Sequence, residues 1–346
     1  MRYVNTTLPP WFDYLELAIN YSCMTFMAIT LPLYIAVVSI MIMLRKTAYK
    51  GMFYRIFVVG AILDIVAIVN NYIGAIFPAR SWFLEFYMSQ GTTIGHLYII
   101  VAWTTRCSQG CTVTLLALNR ATAVCSPIRH KRIWNSPWAN LVFLIQFSLG
   151  ICIGSFLIPQ KFYWKKQAKG IYIQFEDMNF RARYFIFALA LDTFFVVSII
   201  IINITMMLRL KRKYRLRKSA SYCAPLNQKV LSEKQRQENN LTIVSVVTCA
   251  IEVAYYLYII YAFMIRIHMN TRLFYLLYNV FNDIYASSSA WLILSCSPTL
   301  RQHLRNQLRC IPLGRIQQQG TVDYPMSSMS HITIRRTTER SSLVKN

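Results

Sequence analysis

Five ionisable side chains fall inside long apolar stretches of this 346-residue chain: Asp64, Arg106, Asp192, Glu252 and Asp283. A charge at the centre of a bilayer costs at least ~2.5 kcal/mol, so each of them needs a partner and each is a functional-site hypothesis. Arg106 is the only cation of the five. One reading is a cavity in which Arg106 faces Asp192, Glu252 or Asp283, where a bound molecule replaces one arm of a pair. The other is a structural ion-pair network that orders the helices, with ligand contacts elsewhere. A second arginine, Arg120, follows fourteen residues later in the run Leu118-Asn119-Arg120-Ala121-Thr122-Ala123-Val124-Cys125-Ser126-Pro127-Ile128. At 1.5 Å per residue it lies ~21 Å further along, nearly four turns away on a similar face.

The elements that must position these residues follow from composition. The chain is 55% hydrophobic and 14% charged, whereas a soluble domain of this length carries nearer about a quarter charged residues. The charge-free runs Leu17–Leu44, Ile133–Gln160 and Thr193–Leu208 are long enough, or nearly so, to cross ~30 Å of hydrocarbon. There the backbone must satisfy its own hydrogen bonds, so the spans are expected as helices. The expected fold is an all-α membrane protein with a seven-transmembrane helix bundle. Its spans lie near 22–44, 56–77, 94–122, 138–159, 184–208, 240–265 and 273–297.

The formal charge of +24 could suggest nucleic acid, but its distribution points to a membrane. With residues 1–21 outside, the inner segments carry 26 of the 37 Lys and Arg residues, the outer ones 10, and Arg106 lies within a span. Cytoplasmic retention of cationic loops produces that asymmetry. The expected setting is therefore the plasma membrane, multi-pass, with the amino terminus outside and the carboxy terminus cytoplasmic. The basic inner loops suit anionic lipid. Six of the outer ten crowd into 160–183. No Gly-rich phosphate loop, His-Glu-x-x-His or nucleophile elbow is present, so neither an enzyme nor a metal or organic cofactor is expected. The nine cysteines avoid the outer loops and lack zinc spacing; Cys107 and Cys111 share a helix face as small packing residues.

Asn5-Thr6-Thr7 is a sequon in an outer position and makes Asn5 a glycosylation candidate. Arg209–Lys218, including Arg209, Lys211 and Arg212, extends the fifth span; it is either a solvated stop-transfer block or a landing surface for a partner or lipid headgroups. After Pro298, Leu300, Leu304 and Leu308 alternate with Arg301, Arg305 and Arg309. That spacing predicts a short amphipathic interfacial helix over 298–310, with Cys310 a palmitoylation candidate. Residues 311–346 are expected as a disordered cytoplasmic tail, polar and rich in Ser and Thr.

Seven spans, the Asn119–Ile128 run and the amphipathic stretch together resemble the rhodopsin-like G-protein-coupled receptors over about residues 20–310. In detail the chain is similar to the nematode serpentine chemoreceptors, class V of the group that includes class G. The segments LNRATAVCSPIRHKRIW (Leu118–Trp134) and YNVFNDIYASSSAWLILSCSPTLR (Tyr278–Arg301) carry that similarity. The resemblance implies that Arg120 meets the carboxy-terminal helix of a heterotrimeric G protein, that Pro127 and Ile128 anchor the loop, and that Asp64 is a sodium candidate. Several positions depart from the family pattern. Asn119 replaces the acid that pairs with the arginine, Ala121 replaces tyrosine, and Ser289-Ala290-Trp291-Leu292-Ile293 stands for Asn-Pro-x-x-Tyr. The sixth span lacks proline, and no cysteine pair ties the second outer loop to the third span.

The expected function is a chemosensory receptor binding an extracellular small molecule. Its pocket candidates are Trp103, Arg106, Asp192, Glu252 and Asp283; its coupling candidates are Asn119, Arg120, Pro127, Ile128, Arg209, Lys211 and Arg212. Trp103, Tyr255, Tyr256, Tyr258, Tyr261, Phe274, Tyr275 and Tyr278 read either as interfacial belt and helix packing or as an aromatic pocket wall. His96 and His268 read as surface residues. The rival reading is a transporter or channel whose intramembrane charges line a permeation path; it leaves the Asn119–Ile128 run and the tail helix unexplained.

Overall fold

The computed structural model describes residues 9–167, 170–220, 228–265 and 271–309. Asn5, His268, Cys310 and the tail from 311 lie outside the described residues. Seven principal helices follow one another: Trp11–Met43, Met52–Asn71, Thr93–Cys125, Leu141–Ser155, Met178–Ala220, Gln228–Ile265 and Thr271–Cys296. They are called here the first to seventh spans. A twelve-residue helix, Pro298–Arg309, follows the seventh, and one compact unit runs to Leu308. The first helix starts at Trp11, well before the span expected from residue 22, because Asp13 and Glu16 on its added turns both bind Arg272 at the start of the seventh.

Apolarity alone marks the first, second, fifth and sixth helices as able to cross a membrane. The third is more polar because it runs through the middle, packed on the second, fourth, fifth and sixth. Its buried face carries Thr105, Ser108, Gln109, Thr112 and Asn119. The fourth is only 15 residues, ~22 Å at helical rise, and is lengthened by the turn Pro137–Asn140. Leu144, Ile145 and Ile151 on it are exposed, whereas Gln146, Gly150 and Gly154 are buried. Gly150 and Gly154 form a small-xxx-small stripe that lets helix backbones approach closely. A Cβ on Gly150 would strike Ser108 Oγ and the Thr104 carbonyl, and one on Gly154 would strike Thr104 Oγ1. Across that seam Ser108 Oγ donates to the Gln146 carbonyl at 3.2 Å, and the Gln146 amide donates to Thr112 Oγ1.

The second span does not end as a plain α-helix. After Asn71 it passes through a π-turn, Tyr72–Ile76, into Phe77–Ala79. The wider turn brings Gly74 directly under the Tyr98 ring, and Asn70 Nδ2 donates to the Tyr98 carbonyl at 3.0 Å. Single π-turns inside helices are frequent at functional sites.

The 160–183 segment holds an antiparallel hairpin, β1 (Phe162–Gln167) and β2 (Gly170–Phe175), with Phe162 opposite Phe175 and Gln167 opposite Gly170. No cysteine bridge holds it; the described cysteines are free thiols. It is held by fit: Gly170 abuts the Ala79 carbonyl, Gly95 lies beneath Ile173 and Trp164, and Trp164 Nε1 donates to the Gly91 carbonyl at 2.7 Å. His96, expected at the surface, is instead half-buried below this hairpin, 2.9 Å from the Leu157 carbonyl and packed on Phe162. At the other end Leu300 of the short helix is fully buried and Leu304 packs on the same core. Arg301 donates to the carbonyls of Leu294 and Ser295, meeting acceptors that a helix end leaves without partners.

Gly150→Leu should lower the unfolding temperature of the purified protein, since overpacking a tight seam costs about 1–3 kcal/mol. Ile151→Ala on the exposed face should leave it nearly unchanged. Equal behaviour of the two variants would refute close contact between the third and fourth spans.

Candidate functional site

Arg106 is the centre of the site. Its Nη2 donates to Glu252 Oε1 of the sixth span at 2.7 Å and to Asp192 Oδ2 of the fifth at 3.4 Å. The guanidinium is also sandwiched, 4.5 Å from the Tyr255 ring centroid and 4.8 Å from that of Tyr285. Ring quadrupoles attract a desolvated cation, so one side chain ties the third, fifth, sixth and seventh spans together. Glu252 is 1% exposed and Asp192 14%, which makes the aspartate the looser and more accessible arm. Asp283, the third expected partner, is not bound to Arg106; its Oδ2 accepts from Tyr72 at 3.0 Å. The π-turn places Tyr72 there, and nothing in the sequence period announces such a turn.

Above this arginine is a cavity of about 280 Å³. Trp103, Arg106 and Asp192 line it, together with Tyr98, Tyr255, Tyr275 and Tyr278. Among the described residues, neither Glu252 nor Asp283 lines the cavity. Tyr258 stacks on Phe281 at 4.4 Å, Tyr256 bonds Thr193 at 2.6 Å, and Tyr261 is exposed, so the aromatic cluster divides between wall, packing and surface. Strand β2 covers the cavity with Ile171, Tyr172, Ile173, Gln174 and Phe175, and Tyr172 stacks on Tyr275 at 5.0 Å. Sequence reasoning missed this cover. Its signal was present, since Tyr172, Gln174 and their neighbours alternate with apolar residues after Gly170.

Gln109 forms part of the cavity floor and leads below it, where its Nε2 donates to Asp64 Oδ1 at 2.7 Å. The Tyr34 hydroxyl donates to the other oxygen at 2.5 Å. Asp64 is 7% exposed and borders a void of about 20 Å³. Both carboxylate oxygens thus have neutral donors; no group of three or more His, Cys, Asp or Glu side chains placed to hold a metal ion occurs among the described residues.

At the far end, Arg120 lies with its guanidinium 4.2 Å from the Phe53 ring centroid and donates to Asn119 Oδ1 at 3.1 Å. Asn119 is 1% exposed. The chain after Cys125 is a short helix, Pro127–Trp134, rather than the loop expected there. Proline suits its first turn because the missing N–H has no partner in any case. Trp134 Nε1 donates to Thr122 Oγ1 at 2.9 Å, and His130 Nδ1 lies 3.1 Å from the same hydroxyl. This clamps the short helix to the third span and presents Ile128, 87% exposed. Arg209, Lys211 and Arg212 are exposed on the long end of the fifth span. The two sets of expected site residues are therefore separate, Arg106 with its acids at one level and Arg120 with its neighbours at the other.

The profile of the serpentine type 7TM GPCR chemoreceptor Srv family matches residues 23–310. The chain belongs to this family. Its fold is similar to that of a solved structure: the crystal structure of squid rhodopsin superposes with a TM-score of 0.64 over 85% of this chain and 86% of the rhodopsin chain, at 15% identity. Among curated proteins none matches the sequence. This Srv chain is thus a multi-pass membrane protein of a receptor family with the seven-helix, rhodopsin-like bundle.

Two predictions follow from the site of this Srv protein. Removing one partner of a buried ion pair costs about 3–5 kcal/mol, so Arg106→Met should destabilise the bundle by that order in a denaturing-detergent titration. The double variant Arg106→Met/Glu252→Gln should recover part of the loss, and strictly additive losses would show that the pair does not couple. At the other end, burial and then the Arg120 guanidinium hold His130 below the ordinary histidine range. A lowered pKa means that the neutral contact with Thr122 contributes fully above about 6.5 and is lost as pH falls through the lower native value. The unfolding temperature should therefore drop on acidification in the wild type more steeply than in His130→Gln. Parallel profiles would remove His130 from the clamp.

Proposed function

We propose that this chain is a plasma-membrane chemoreceptor that binds an extracellular small molecule and activates a heterotrimeric G protein. Its amino terminus is outside and its carboxy terminus cytoplasmic, so the hairpin end faces the exterior. The observation that carries the reading is Arg106, which bridges the fifth and sixth spans at the base of the aromatic cavity, ~21 Å from Arg120 on the same helix. A ligand entering under β2 competes with the 3.4 Å arm to Asp192. Freeing that arm loosens the fifth span from the sixth and shifts the population of bundle states. The inner surface comprises Arg120, Pro127 and the exposed Ile128 on their short helix, and Arg209, Lys211 and Arg212. Those cations, with Arg301 and Arg305 of the short helix, also face the headgroups of anionic lipid.

Asn119 gives the first test. A neutral amide holds Arg120 less strongly than a carboxylate would, so ligand-free coupling should be measurable. Reconstituted with a panel of G proteins, the wild type should show basal GTP uptake that falls in Asn119→Asp and is abolished in Arg120→Ala, with surface expression intact. Exchange retained in Arg120→Ala would overturn the coupling role. Substrate flux without nucleotide exchange would favour a transporter instead.

A further inference from the structure

The cavity's unused hydrogen-bonding capacity is unevenly distributed, and that unevenness selects a ligand. Four arginines line the cavity: Arg80, Arg106, Arg181 and Arg272. Arg106 has Glu252 and Asp192, and Arg272 has Asp13 and Glu16. Arg80 and Arg181 have no carboxylate within salt-bridge distance among the described residues. Among the described residues, Arg181 meets Met178 Sδ at 3.6 Å and lies over the Phe185 ring, 5.8 Å from its centroid. Arg80 is held over two rings, 5.7 Å from the Tyr21 centroid and 5.9 Å from that of Trp82, and its Nη2 is buried with no acceptor.

A second donor in the same cavity is also unused. Asn71 is 5% exposed, and its Nδ2 has no partner. Buried donors without acceptors are costly and uncommon. Both residues owe their places to the outer half of the second span, since Asn71 immediately precedes the π-turn and Arg80 immediately follows Ala79. Arg106 also leaves buried donors without partners, Nε and Nη1, but its charge is already compensated by two acids, whereas Arg80 has no such compensation among the described residues. One lining acceptor, Asn279 Oδ1, is also unpartnered; a hydroxyl or amide on the same molecule would satisfy it.

We infer that the cavity takes a small organic anion, its carboxylate held by Arg80 and Asn71 and its apolar body lying on the aromatic wall. This rests on the cavity being the receptor's ligand site, and it assigns the chemical class of the ligand and two residues that anchor it. An arginine fork matches the two oxygens of a carboxylate. Arg181 at the same cavity adds a field that favours anions over amines.

The test uses the full-length protein in nanodiscs and thermal unfolding with matched sets of arylalkyl and alkyl carboxylates, their amides and their amines. Carboxylates should raise the unfolding temperature, whereas the amides and amines of the same body should not. Arg80→Gln and Asn71→Leu should each weaken the carboxylate effect about tenfold or more in apparent affinity, as loss of a hydrogen bond to a charged group does. Both variants should keep a ligand-free unfolding temperature no lower than that of the wild type, so that folding failure is excluded. Stabilisation by amines or amides that Trp103→Ala removes would overturn the anion assignment while leaving the cavity as the ligand site. Carboxylate stabilisation unchanged in Arg80→Gln and Asn71→Leu, or no stabilisation by any class, would overturn it as well. Basal GTP uptake judges the receptor reading separately in every case.

Discussion

A guanidinium in hydrocarbon must bring its counter-charges with it, and the arrangement of this bundle follows from how Arg106 does so. Glu252 supplies a short, fully buried arm, Asp192 a longer and more accessible one, and Tyr255 and Tyr285 close the faces of the ion. The fifth, sixth and seventh spans are thereby referenced to one point on the third. The low dielectric that makes an unpaired charge costly also makes the paired one strong, so the site is both a structural centre and the place where a small competing charge has the most leverage. The asymmetry of the two arms matters here. A symmetric pair would offer no preferred place for exchange.

Around that centre the bundle solves its packing in two different ways. On the fourth-span side, Gly150 and Gly154 allow backbone-to-backbone approach against Thr104 and Ser108. On the second-span side, polar side chains form a column, with Gln109, Asp64 and Tyr34 joined by short hydrogen bonds. Both devices suit a membrane interior, where burial of apolar surface gains nothing over lipid and association relies on close packing and hydrogen bonds. The polarity of the third span, which weakens its signature as a transmembrane segment, is the mark of its central position.

Much of this was legible in the residues because a bilayer imposes a strict rule on composition. Asp64, Arg106, Asp192, Glu252 and Asp283 stand out in a sequence where charge is rare, and the pairing of Arg106 with acids of other spans was among the arrangements their depths allowed. Which acids would meet it was not legible, because partner choice depends on helix rotation. Asp283 turned to Tyr72 through a π-turn that leaves no periodic trace. The β1–β2 cover was readable in retrospect from alternation after Gly170, but six cations in that segment drew attention to charge rather than to pattern. Arg80 and Asn71 carried no signal at all: one looks like an end-of-span cation and the other like an ordinary polar residue. Their interest arises only from the atoms they leave unbonded.

The π-turn at Tyr72–Ile76 has a consequence for how such a protein diversifies. A π-turn holds one residue more than the α-turn it replaces, so a single-residue deletion inside it would restore the regular helix while the residues on either side kept nearly their present faces. Arg80 would still face the cavity and the core below Asn71 would keep its register, whereas the same deletion in the α-helical part would turn everything beyond it by about 100°. The upper half of the second span thus carries one slack residue, a place where chain length can change without resetting the side chains beyond it.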